Sequence, residues 1–136
     1  MNEVNRGVLV LKPKEKFVAW VNASDEEGEV LTLDEASQDS TAYLTPEIED
    51  DNELREFLEQ NCDLLFEQEL VGWVQDEDQW PATRDLPTFL EWFDVEYHSM
   101  VLDIAEGELV ILEDASGVVE VELVRITVLT NFTIPY

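Results

Sequence analysis

"PTFLEWFDVEYHSMVLDI", residues 87–104, changes its apolar period partway along. Its first seven residues, 87–93, read as a short helix, and the alternation that follows over 94–104 reads as a strand. On that strand Phe93, Val95, Tyr97, Ser99 and Val101 share one mostly apolar face that suits a core. Asp94, Glu96, His98, Met100 and Leu102 share the other, wet at its start and drier towards Leu102. A helix that runs straight into a strand points to a fold mixing the two.

Working outward, "VNRGVLVLK" (4–12) reads as a β-branched strand. Pro13 stops it and can open a helix, in which Phe17, Trp20 and Val21 form one apolar face. "ASDEEGEV" (23–30) breaks that helix, and "VLTL" (30–33) reads as a short strand or an extended loop. "TAYLTPEI" (41–48) reads as a short strand, with Pro46 favouring a sheet edge. The clearest helix covers about 51–71. Asp50 and Glu53 stand where a capping box would place them, and acids in the first turn suit the positive end of the helix dipole. Leu54, Phe57, Leu58, Leu65 and Phe66 form its inner stripe; Glu53, Glu56, Asp63 and Glu67 form its outer one. Residues 74–87 read as a loop, with Trp80 extended before Pro81. Downstream, "ELVILE", a turn at "DASG" and a long alternating strand predict a C-terminal β-hairpin over about 107–130. Strands and helices alternate early and strands follow one another late. That order predicts a single α+β domain over 1–136, with two or three helices on one face of a mixed or antiparallel sheet.

The charge is the abnormal property. Against 33 acids stand 7 bases, a net charge of −26, yet 45% of residues are hydrophobic, enough for a packed core rather than a disordered chain. Arg6, Lys12, Lys14 and Lys16 are four of those bases, and residues 17–54 hold none. Such a surface is a poor direct ligand for nucleic acid or anionic membrane, because phosphate contacts need cations. It suits a basic protein patch, a cation, or simple solubility. Cys62 is the single cysteine, so no intramolecular disulfide forms, and a buried thiol in a reducing cytoplasm is the expectation. No apolar run is long enough to span a membrane.

"LVLKPKEKFVAWVN", "TAYLTPEIEDD", "RDLPTFLEWF" and "FDVEYHSMVLD" together resemble a family of small, acidic, uncharacterised bacterial proteins, over about residues 5–103. The resemblance implies a bacterial cytoplasmic origin and transfers no functional residue. Residues 104–136 depart from the pattern.

Two constellations carry the functional expectations. The first is Asp94, Glu96 and His98, alternate residues on one strand face. Glu96 with His98 could chelate a divalent ion, or form a dyad in which the carboxylate raises the imidazole pKa. The plainer reading is a solvated polar strand edge. Ser99 faces away from His98 and lies in no G-x-S-x-G turn, and the five glycines form no phosphate loop. No cofactor is called for. The second constellation is the outer stripe of the long helix, Glu53, Glu56, Asp63 and Glu67. A helix rises about 5.4 Å per turn and a DNA strand about 3.4 Å per nucleotide, so acids at each turn approach nucleic-acid charge density. Trp80, in the acidic loop, is a candidate anchor beside it. The expectation is a non-enzymatic cytoplasmic protein that engages a basic protein, such as a nucleic-acid-binding protein met by DNA mimicry. The alternative is a metal-binding protein or metal-dependent enzyme built on Asp94, Glu96 and His98. A hairpin edge near 108–129 could also pair two chains as a homodimer.

Overall fold

Alternating burial along one strand fixes where the core lies. The computed structural model describes residues 1–24, 28–38 and 40–112. In chain order the elements are β1 (Asn2–Glu3), β2 (Gly7–Pro13), α1 (Glu15–Ser24), α2 (Leu33–Ser37), β3 (Ala42–Thr45), α3 (Asp51–Val71), a 3-10 turn (Glu77–Gln79), α4 (Leu86–Trp92), β4 (Phe93–His98) and β5 (Leu102–Asp103). Along β2, Leu9, Leu11 and Pro13 are buried while Val8, Val10 and Lys12 are more open. The buried face meets Phe17 of α1, Leu58, Cys62, Leu65, Phe66 and Leu70 of α3, and Leu86 and Phe89 of α4. This is the expected α+β arrangement, with four α-helices among the described residues where two or three were expected.

Three strands form an antiparallel sheet in the order β3-β2-β4, with β2 central. Strand β3 is an edge, as Pro46 just beyond it suggests. Pro13 at the end of the central strand is accommodated by position. The Lys14 N–H donates to the Trp92 carbonyl at 2.8 Å, on the β4 side. The Pro13 nitrogen therefore points the other way, where β3 has already ended at the Val10–Ala42 pair. Phe93 ends α4 and begins β4, so the change of period lies at the centre of the core. Its ring sits 5.1 Å from Phe17, 5.2 Å from Phe89 and 5.6 Å from Phe66, all within the favourable range for aromatic pairs.

Three sequence expectations change. The segment 30–33 is no strand: Thr32 caps α2, its hydroxyl accepting from the Glu35 N–H at 3.2 Å while the Glu35 carboxylate accepts from the Thr32 N–H at 3.2 Å. The strand read over 94–104 breaks after His98. Beyond the break β1 and β5 pair as a second small sheet, joined by the Val4 N–H donating to the Val101 carbonyl at 2.9 Å. Val8 faces His98, so the chain has one more residue between Val4 and Val8 than between His98 and Val101. That offset interrupts the ladder as a bulge does. Of the expected hairpin, residues 108–112 carry no strand, and the rest lies outside the described residues. Among the described residues no helix is long and apolar enough to cross a membrane.

Candidate functional site

Helix α3 begins where the sequence places it. The Asp50 carboxylate accepts from the Glu53 N–H at 2.8 Å, satisfying one of the amides a helix start leaves unpaired. The Glu53 carboxylate reaches back one residue further than in a capping box, accepting from the Glu49 N–H at 3.0 Å. Most of the inner stripe packs as expected: Leu58, Leu65 and Phe66 are buried and Leu54 packs at the core margin, while Phe57 is only half-buried and lies outside the core cluster. Cys62 joins them, and burial pushes its thiol pKa up, so it stays protonated and inert. Glu69 also lies in this stripe, only 5% exposed, with its carboxylate accepting from the Tyr43 hydroxyl. Its position three residues past Phe66 and four past Leu65 places it inward, a signal readable from the helical period.

The outer stripe divides in two. Arg84 donates through Nε to Asp63 at 3.1 Å and through Nη2 to Glu67 at 3.4 Å. Its Nη1 donates to the Pro81 carbonyl at 2.8 Å, and its guanidinium sits 5.9 Å from the Trp80 ring centre. Trp80 in turn packs at the core margin, its indole N–H donating to the Val74 carbonyl at 2.8 Å. Asp63, Glu67 and Trp80 thus share one cation, which sequence spacing could not place among them. Glu53 and Glu56 stand exposed at the other end of the helix.

The strand constellation is closed by lysines. Lys12 reaches Glu96 at 3.2 Å and Lys14 lies 4.0 Å from Asp94. A His98 ring nitrogen contacts the Glu96 carboxylate at 2.9 Å. The hydrogen bond from His98, then that from Lys12, hold the Glu96 carboxyl below its usual range. Among the described residues, no group of three or more His, Cys, Asp or Glu side chains is placed to hold a metal ion. Chemically this is a charge-paired strand edge.

Across the described cations, the same pairing leaves several acidic stretches without a cation partner, the run 47–56 among them. Lys16 pairs with Glu91 at 2.7 Å, Arg55 with Glu59 at 3.2 Å, and Arg6 hydrogen-bonds Asn5. Among the described residues, none of these cations pairs with Glu47, Glu49, Asp50, Asp51, Glu53 or Glu56. The approach to α3 and its first turns therefore form an anionic head. The run "EIEDD" (47–51), which lies beside the outer stripe in sequence, supplies the rest of this head.

No family model, no curated protein and no solved structure matches the chain.

Proposed function

We propose that this is a non-enzymatic acidic binding protein of the bacterial cytoplasm, engaging a basic protein partner through the anionic head of α3. One observation carries the reading: six acids, Glu47, Glu49, Asp50, Asp51, Glu53 and Glu56, fall within ten residues, and none of the described cations pairs with any of them. Uncompensated carboxylates steer a cationic surface from a distance, raising the association rate at low salt. Asp63 and Glu67 lie further along the same helix, already half neutralised by Arg84, which also sits against Trp80. A nucleic-acid-binding protein is the partner class that best fits. Its surface is built for phosphates, and acids spaced along a helix approach phosphate density.

The test uses immobilised protein and nuclease-treated bacterial lysate at low salt. A nucleic-acid-binding protein should be retained, should elute sharply as salt rises, and should be displaced by added DNA. A variant with Glu49→Gln, Asp51→Asn, Glu53→Gln and Glu56→Gln should lose it. Equal capture by that variant sinks the reading.

A further inference from the structure

A small cavity of about 180 Å³ opens at the head of α3, between Ile48, Leu54 and Tyr97, with Glu49, Asp50 and Asp51 around it. We propose that it seats one lysine or arginine side chain of the basic partner. The inference rests on the reading above and deepens it, from a charged face to a point of docking.

Size argues first. Small-molecule sites occupy roughly 300–1,000 Å³, so this cavity suits one side chain rather than a metabolite. Its walls argue next. Ile48, Leu54 and Tyr97 offer apolar surface to the methylene stem of a long basic residue, whose charged end stays at the mouth. Charge settles the sign. The start of a helix carries about half a positive charge, but three carboxylates outweigh it, and among the described residues no cation pairs with them. Asp50 does give one oxygen to the Glu53 N–H, which leaves its negative charge in place.

The floor is held ready. The Tyr97 hydroxyl accepts from the Ile48 N–H at 3.2 Å. Its ring lies so close over Gly7 that a Cβ there would come within 2.1 Å of the hydroxyl oxygen. Tyr97 thus crosses the sheet from β4, over β2, to the approach of α3, and only glycine leaves room for it. A pre-formed pocket loses little entropy when it fills.

The probes are the tripeptides acetyl-Gly-Arg-Gly-amide and acetyl-Gly-Lys-Gly-amide, a norleucine counterpart of equal stem length without charge, and decalysine. Amide NMR shifts report where each binds. The basic tripeptides should move the signals of Ile48, Leu54 and Ser99, and the norleucine peptide should bind at least about tenfold more weakly. Ser99 lines the mouth and is exposed, so Ser99→Phe fills the cavity without changing charge. It should weaken the basic tripeptides about tenfold and leave salt-dependent decalysine binding nearly intact. The pair Glu49→Gln and Asp51→Asn, which touches no apolar wall, should weaken the basic tripeptides as well. Decalysine bound as before, with the tripeptides indifferent to Ser99→Phe or to the charge pair, overturns the pocket and leaves the acidic face standing. No binding of decalysine at low salt overturns both.

Discussion

The outer edge of β4 and the head of α3 both carry acids, and they end in opposite electrostatic states. On the sheet, register sets Lys12 directly across from Asp94, and the lysine reaches diagonally to Glu96 while Lys14 takes Asp94. A ladder holds opposite charges a fixed distance apart, so its acids are answered by side chains. At the helix head the answering groups are backbone amides: Glu53 N–H for Asp50, and Glu49 N–H for Glu53. Amides stabilise a carboxylate without cancelling its charge. The first region is closed by its own chain; the second is held in place yet left anionic towards solvent.

Four changes would break or sharpen that contrast. Gly7→Ala should have the largest effect, because Tyr97 links the two regions and must leave its place. Overpacking of this kind costs about 1–3 kcal/mol, read as a lower urea midpoint, with loss of protection at the Ile48 amide. Arg84→Met should follow at about 1 kcal/mol, in the range of well-formed, partly exposed ion pairs. It should also turn Asp63 and Glu67 into a continuation of the anionic head, visible as a steeper salt dependence of stability. Glu56→Gln should act the other way. It leaves the first-turn acids and the acceptor for Glu49 N–H in place and relieves repulsion with Glu53, raising low-salt stability by about 0.2–0.5 kcal/mol; an unchanged melting temperature at low salt would count against an uncompensated head.

Glu96→Gln should have the smallest effect, and one that depends on pH. The folded-state pKa of Glu96 is lowered, so its contribution is present above the ordinary glutamate range and fades as pH falls through that lowered value. The melting-temperature gap between Glu96→Gln and the parent should therefore close in acid. A gap that persists there contradicts the Lys12–Glu96–His98 pairing.

Much of this was legible in local pattern. The span of α3, its cap at Asp50 and its inner stripe follow from helical period and capping chemistry, which need only neighbours in sequence. So does the helix-to-strand change at Phe93. Thr32 and Glu35 also spell a capping box, but the apolar run "VLTL" beside them suits a strand or an extended loop equally, and only the loop forms, ahead of α2. What stayed hidden depends on distant partners. The break after His98 comes from a one-residue offset against the N-terminal strand, which no window around 94–104 contains. Arg84 lies outside α3, and nothing in the helical spacing assigned it to Asp63 and Glu67. The lysines that close Asp94 and Glu96 belong to the other end of the chain, so the strand looked more like a ligand set alone than it does paired.

The central position of β2 also governs how the chain must be made. Its partner on one side is the strand that places His98 opposite Val8, so the pairing joins the start of the chain to residues 93–98, far along it. Contacts of such long separation form late, because a large loop must close first. On a ribosome, α3 can coil as it emerges, while β2 waits with one edge open until residues 93–98 arrive. A nascent chain stalled before them should remain protease-sensitive at β2, and one stalled well beyond them should not.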